Sequence, residues 1–415
     1  MYEFILEQKL ATVLAAIFLA LLSSSLVGAG KLWFKGLIYN FTPAFAAAFY
    51  TVAFFALPRP DSADLFAGLL FETTVLALFF RLLLKLKREM MLISEIDAVR
   101  GLMWTLVLQL ALAYPNMSMS GFGLFSDGSR IDYLSASSLA KYYTYAGFLI
   151  STIQAVLVAS LVTIRGYLGL WGYLVIAANL ALSVLAGSKG GVFLWLLAIA
   201  SLIDYKRAKI RTYKFIIIVL IGLVSMWASS LIIAEFLNLQ IADFINIAIS
   251  RFFLNNDARA LALDLRTSQT SDISFFSEAF RSLGNLLGLQ PRNDPLGVIL
   301  YEEGLSITNG SGANASFMAL STYYFPAGFA LVPALLGMLG VFFLVGINMM
   351  SVKLVFRPTH RAVITSIWLA TLMIFSQDFL SFQVMLPIAV LSVFIIWLSQ
   401  KKFYVFAKKT PQSKH

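Results

Sequence analysis

The chain has no cysteine in 415 residues. That excludes disulfides, thiolate nucleophiles and cysteine-based metal sites. Charge is scarce as well. Asp, Glu, Lys and Arg make up 13% of the residues, against about a quarter in ordinary globular chains. The sequence shows no internal repeat, and no inverted pair of Gly/Pro-broken apolar segments of the kind that marks many transporters. Its first residues, "MYEFILEQKL", lack the positive n-region of a signal peptide, so the first apolar run is expected to be a retained helix.

What is present is apolar. Hydrophobic residues make up 60% of the chain and the mean hydropathy is +0.83, which places it among integral membrane proteins. The apolar runs are about 17–22 residues long, the length that crosses roughly 30 Å of hydrocarbon as an α-helix. Barrel strands are about half as long and alternate. The expected fold is therefore all-α, a single polytopic membrane domain spanning 1–415. Eleven spans are predicted, near 10–28, 37–57, 65–84, 99–115, 143–163, 167–186, 190–203, 215–235, 326–348, 362–377 and 383–399.

The net charge of +10 is not a nucleic-acid signal, because most Lys and Arg sit beside span ends. Of the 31 basic residues, 21 fall on one alternating set of short connections, including "KLKRE", Arg165, "DYKRAKIRTYK" and "KLVFRPTHR". The positive-inside rule makes that set cytoplasmic. Two polar loops then face outward, 116–142 and 236–326. An unstructured loop of the second length is rarely without function.

The large loop holds five basic residues, Arg251, Arg259, Arg266, Arg281 and Arg292, and no lysine. On a helix, Arg251, Arg259 and Arg266 of "RFFLNNDARALALDLR" lie within about 80° of arc, with leucines and aspartates on separate stripes. One reading is headgroup contact, or pairing with nearby carboxylates. The other is capture of an anion, because the guanidinium fork fits phosphate oxygens two at a time. At an outer leaflet, that anion is expected to be the pyrophosphate of a lipid carrier.

Further signals accompany the arginines. In "AGSKGGVF", Lys189 is set among small residues, where free N–H groups at a helix start favour an anion. It is otherwise the lysine of a tight turn. In "ITNGSGANASFMALSTYYFPAG", Asn309 and Asn314 are candidates to hydrogen-bond sugar hydroxyls, and Tyr323 and Tyr324 to stack on a sugar face. They are equally suited to a helix-entry loop with interfacial aromatics. A sugar hydroxyl must lose its proton as it attacks, and a carboxylate can take it. Glu302 and Glu303 of "YEEG", and Asp257, are the candidate bases. Asp127, Asp132, Asp243, Asp264, Asp272, Glu278, Asp294 and Asp378 are the other outer acids. Glu72 lies inside a predicted span, where an acid is a functional candidate by default.

This pattern resembles the Wzy-type O-antigen polymerases, within the wider O-antigen polymerase and ligase superfamily. "GSKGGVFLWLLAI" is similar to the Ser-Arg-Gly element that opens a span there, with Lys189 in place of the arginine. The Arg-rich outer loop precedes the last three spans, and "NASFMALSTYYFPAGFALVPALLG" resembles the entry to the next span. Arg281 and Gly297 also have the sixteen-residue spacing found in some members. The resemblance implies a GT-C-like glycosyltransferase of the bacterial inner membrane with its active site facing the periplasm. It would join undecaprenyl-pyrophosphate-linked oligosaccharide repeat units into a surface polysaccharide, such as the O-antigen of lipopolysaccharide.

Such transfer needs no nucleotide sugar, and no acidic pair with metal-binding spacing stands out. No cofactor and no metal are expected. Arg251, Arg281 and Lys189, with Arg259 and Arg130 next, would bind the pyrophosphates. Candidate partners are the lipid-linked oligosaccharides, the bilayer and a chain-length-regulating co-polymerase. A related ligase, transferring finished chains to lipid A core, is associated with a periplasmic histidine. Here His360 and His415 both fall on the basic side. A lipid-linked oligosaccharide flippase is the alternative from another class. It calls for ionisable residues spread through several spans, and these spans have few.

Overall fold

The computed structural model describes residues 62–120, 138–185, 191–204, 275–281, 296–305, 317–325 and 331–407, with a few isolated positions such as Ala208, Ala262, Leu265 and Phe329. Predicted spans 10–28, 37–57 and 215–235 lie outside the described residues. Within them the chain is all helical. In chain order the helices are α1 Ser62–Met90, α2 Glu95–Ser120, α3 Ser138–Arg165, α4 Gly169–Leu185, α5 Gly191–Leu202, α6 Phe275–Ala279, α7 Leu296–Leu305, α8 Phe317–Tyr324, α9 Leu331–Lys353, α10 Pro358–Gln377 and α11 Phe379–Ala407. Four segments, Glu95–Ser118, Lys141–Arg165, Leu331–Lys353 and Phe379–Ser399, are long and apolar enough to cross a membrane. The protein is thus membrane-embedded by character.

The helix ends follow local chemistry. Ser94 caps α2: its Oγ accepts the Asp97 N–H at 3.2 Å and donates to the Asp97 carboxylate at 2.8 Å. Glu95 and Asp97 in that first turn complement the helix dipole. Pro358 opens α10 with Arg357 extended before it, where a missing N–H costs nothing. Asp378 starts α11 by accepting the N–H groups of Leu380 and Ser381, both at 3.1 Å. Between α3 and α4 the chain turns at Gly166 (φ 76°) and Gly169 (φ 67°), backbone that L side chains rarely adopt. A Cβ on Gly166 would also sit 2.9 Å from the Ala208 carbonyl.

Two helix groups meet on α3. Helix α1 packs against α9 and α10, while α2, α4 and α5 gather on α3, which also touches α10 and α11. The α9 helix is displaced from the predicted 326–348 and ends five residues later, at Lys353. That lysine completes the last turn, where a cation suits the dipole.

The two ends of the bundle differ. At one, Arg165 pairs with Glu95 at 2.5 Å. Arg207 donates to the Met91 carbonyl at 3.1 Å, and the Asp204 N–H reaches Thr163 Oγ1 at 3.2 Å. Arg361 comes to 4.0 Å from Glu89. The α1–α2, α3–α4 and α9–α10 connections and the end of α5, all from the basic set, therefore share one end. At the other end, Asn116 donates to Thr144 at 3.4 Å, Tyr145 bonds Ser381, and an aromatic cluster closes the seam. Phe317 lies 5.8 Å from Phe71, 5.6 Å from Phe375 and 5.2 Å from Phe379, centroid to centroid.

Candidate functional site

Short helices α6, α7 and α8 gather over that aromatic end. Phe275 of α6 packs edge-on to Phe317 at 6.2 Å and to Phe325 at 5.1 Å. Leu296 and Leu300 of α7 share an apolar cluster with Ala319, Leu320 and Tyr323 of α8. Ala262, fully buried, and Leu265 join the same cluster. Both belong to the stretch Arg251 to Arg266, and these two residues pack against α7 and α8.

An ion pair is enclosed here. Glu278 is 0% exposed and Arg281 is 7% exposed. The Arg281 Nε–H donates to Glu278 Oε2 at 2.5 Å. The other carboxylate oxygen accepts the Leu296 N–H, the first residue of α7, at 2.8 Å. One carboxylate thus holds an arginine and a helix start eighteen positions away. Charge-assisted bonds of this kind are the strong ones. They oppose the cost of taking both ions out of water.

Tyr324 stands beside the pair. Its hydroxyl is enclosed and has no hydrogen-bond partner among the described residues. Burial first, then the neighbouring Glu278 charge, push its ionisation well above the usual phenol range, with Arg281 pulling the other way. The phenol is therefore a neutral O–H donor. Its ring meets Tyr323 edge-on at 5.0 Å. Nearby at the head of α11, burial raises the Asp378 carboxyl above the ordinary range, opposed by its bonds to Ser381 and Leu380.

The sequence-assigned residues separate accordingly. Arg281, Tyr323 and Tyr324 come together. Tyr323 is 2% exposed, so its ring has no open face in this conformation, and sugar stacking is left to the half-buried Tyr324. Glu302 and Glu303 lie toward the far end of α7, Glu302 half-buried and Glu303 exposed. No hydrogen bond joins them to the Glu278 cluster among the described residues. Arg281 also answers one of the two sequence readings, since it pairs with a local carboxylate. Asp257, Arg251, Arg259, Arg130, Lys189, Asn309 and Asn314 lie outside the described residues, and for Glu72 only its place on α1 is described. Sequence reasoning passed over Glu278 and Asp378 as two outer acids among many. The three-residue spacing of Glu278 and Arg281, neighbours on a helix, was the available signal for the first. For the second it was an aspartate immediately before a new apolar run.

Among the described residues no group of three or more His, Asp or Glu is placed to hold a metal ion. Comparison with protein-family models, with curated proteins and with solved structures found no match. The site's geometry and chemistry therefore carry the functional reading.

Proposed function

We propose that this protein is a membrane glycosyltransferase that polymerises undecaprenyl-pyrophosphate-linked oligosaccharide repeat units. The observation that carries the reading is convergence. Arg281, Tyr324 and two residues of the arginine-rich segment, Ala262 and Leu265, meet at the end of the bundle away from the basic connections. Polar loop chemistry is thus gathered over an apolar bundle, where a lipid-linked sugar would present its pyrophosphate.

In the proposed step, a hydroxyl oxygen at the non-reducing end of one repeat unit attacks the anomeric carbon of the growing chain. The bond from that carbon to the pyrophosphate oxygen breaks, and its electron pair leaves with undecaprenyl pyrophosphate. The hydroxyl proton passes to a carboxylate base, for which Glu302, Glu303 and Asp257 are the candidates. Fixed cations stabilise the charge developing on the leaving group. Because Glu278 already neutralises Arg281, that work falls mainly on Arg251, Arg259, Lys189 and Arg130. Arg281 instead helps to fix the loop that carries Arg251 and Arg259. The Tyr324 hydroxyl, a neutral donor beside the pair, is suited to a sugar or phosphate oxygen. The membrane is proposed to be the bacterial inner membrane, with this end facing the periplasm.

Reconstitution of the full chain with synthetic lipid-linked repeat units tests this. The parent protein is expected to give glycan ladders and free undecaprenyl pyrophosphate. Arg251→Ala and Lys189→Ala should each slow turnover on the order of 100-fold, the usual cost of losing one charge-stabilising donor. Absence of product from the parent removes the enzyme class. Full activity in both variants removes the site assignment.

A further inference from the structure

Two polar clusters of the bundle differ in how they are matched. The first is neutral and closed. Between α2, α3 and α4, Gln154 donates to Gln109 at 3.0 Å, Gln109 to Asn179 at 3.0 Å, and Asn179 to Gln154 at 2.7 Å, a closed ring of amides. The second is charged and open. At the basic end, Lys85 of α1, Lys353 in the last turn of α9 and Arg361 in the first turn of α10 gather around one carboxylate, Glu89.

The register of the helices brings them together. Thr74 Oγ1 reaches Met338 Sδ at 3.2 Å, and α1 and α9 run parallel. The same number of residues further along each helix, Lys353 is level with Glu89. Lys85 lies one turn before Glu89 on the same face of α1. The Arg361 Nε–H donates to the Val355 carbonyl at 2.8 Å, and its Nη1 stands 4.0 Å from Glu89 Oε2. That is too far for a direct hydrogen bond. Burial above all, and then the Arg361 and Lys353 charges, hold the Lys85 pKa below the usual lysine range, with Glu89 opposing.

Positive charge is therefore in excess here. The C-terminal poles of α1 and α9 offset part of it, and the N-terminal pole of α10 adds to it. Other cations of this end have local partners: Arg165 pairs with Glu95, and Arg207 donates to the Met91 carbonyl. Among the described residues neither Lys85 nor Lys353 forms an ion pair or hydrogen bond. The group is also accessible. Lys353 is exposed and Lys85 half-buried, while the Arg361 and Glu89 side chains are 34% and 14% exposed.

An apolar track leads to it. Phe343, Gly346, Met350 and Lys353 follow one another at spacings of three and four, so they form one stripe along α9. Phe343 is 68% and Met350 69% exposed. A Cβ on Gly346 would meet nothing within 4 Å, so the stripe is notched between the two larger side chains. From Phe343 to Lys353 the helix rises roughly 15 Å, about half of the ~30 Å hydrocarbon core and hence the depth of one leaflet. A cationic group at the end of an exposed apolar stripe of that length matches an amphiphile with an anionic head. Basic pockets between membrane helices bind such headgroups, and the guanidinium fork suits phosphate oxygens.

We infer that Lys85, Lys353 and Arg361 seat the phosphate of an anionic phospholipid, with an acyl chain along the Phe343–Gly346–Met350 stripe of α9. The bound lipid ties α1, α9 and α10 together at the end opposite the proposed glycosyl-transfer site, and the inference does not depend on that reading.

Native mass spectrometry of the full chain, titrated with phosphatidylglycerol or with phosphatidylcholine of the same acyl chains, tests it. The first phosphatidylglycerol is expected to bind several-fold tighter than the first phosphatidylcholine. Equal affinities overturn the proposal, and this comparison needs no variant. Lys353→Gln should weaken phosphatidylglycerol binding about fivefold, the equivalent of the ~1 kcal/mol that a Lys or Arg near a membrane surface is worth. Arg100→Gln removes another exposed charge, near the start of α2 at the same end, and should leave that affinity unchanged. Equal losses in the two variants mean diffuse surface charge and overturn the site. Glycerol phosphate, which carries the head chemistry without acyl chains, is expected not to displace the lipid at equal concentration. Displacement makes a soluble phosphate the occupant and overturns the lipid assignment.

Discussion

Two ion pairs of the same length, 2.5 Å, stand at opposite ends of the bundle: Arg165–Glu95 and Arg281–Glu278. The first is open to solvent, with side chains 25% and 45% exposed, and the second is enclosed at 7% and 0%. Distance therefore does not separate them, and environment does. Water solvates Arg165 and Glu95 whether or not they touch, so their contact adds little. Arg281 and Glu278 are enclosed against each other, and Glu278 also holds the Leu296 N–H. Removing either leaves a charge stranded in an apolar cluster. The enclosed pair consequently fixes the relative places of α6 and α7, while the open pair decorates an end already held by packing.

The largest expected effect comes from stranding the enclosed arginine. Glu278→Ala should destabilise the α6–α8 assembly by about 3–5 kcal/mol, the usual cost of breaking a buried pair. Protease sensitivity of the 275–325 region in nanodiscs reads this directly. The sharper form is the double change Glu278→Met with Arg281→Met, which removes both charges at similar volume. It should recover most of the lost protection, because apolar replacement of a whole buried pair is close to neutral. Failure of the double variant to recover would mean that the Glu278 bond to Leu296, rather than the pair, holds α7.

How much of this was legible beforehand follows from the same contrast. Helices α2, α3, α9 and α11 announce themselves by length and hydropathy, which are local properties. The spacing of Glu278 and Arg281 is local too, and it was readable. Their burial was not, because it depends on Leu296, Phe275 and Tyr324, which only the folded chain brings together. The amide ring of Gln109, Gln154 and Asn179 shows the same limit. Each amide is visible as a polar residue in an apolar run, but their pairing needs the register of three helices. Tyr323 is a further case, since its sequence surroundings suit sugar stacking and a helix-entry aromatic equally, and only the folded chain places it in the core.

A smaller effect separates solvation from pairing at the basic end. Lys87 sits in the last turn of α1, beyond the predicted span 65–84. Burial lowers its pKa to about 7, with the Asp204 charge opposing. The unfolded chain binds this proton up to about pH 10.4, so the folded form is the one that holds it less well. The resulting destabilisation is fully present below pH 7 and is relieved as pH rises from 7 toward 10.4. Lys87→Met should therefore raise the thermal midpoint most at or below neutral pH, with the gain shrinking as pH rises. A gain that is flat across that window would show that packing, not proton binding, is responsible.

The smallest effect belongs to the open pair, and its smallness is the informative part. The hydrogen bond from Arg165 lowers the Glu95 pKa below the usual carboxylate range, so any stabilisation is present above the unfolded value and is lost as pH falls through the folded one. Both groups remain wetted, however, and salt at physiological strength screens charges beyond about 8 Å. Glu95→Gln keeps the shape and the acceptor oxygen while removing the charge. It should leave the thermal midpoint unchanged within error at pH 7 and moderate salt. A clear drop would mean that the α2–α3 corner depends on this pair, as the α6–α7 corner does on Glu278. The Ser94 cap and the Arg207 bond to the Met91 carbonyl would then be too weak to hold that corner without it, and burial alone would no longer explain why two contacts of equal length differ in what they hold.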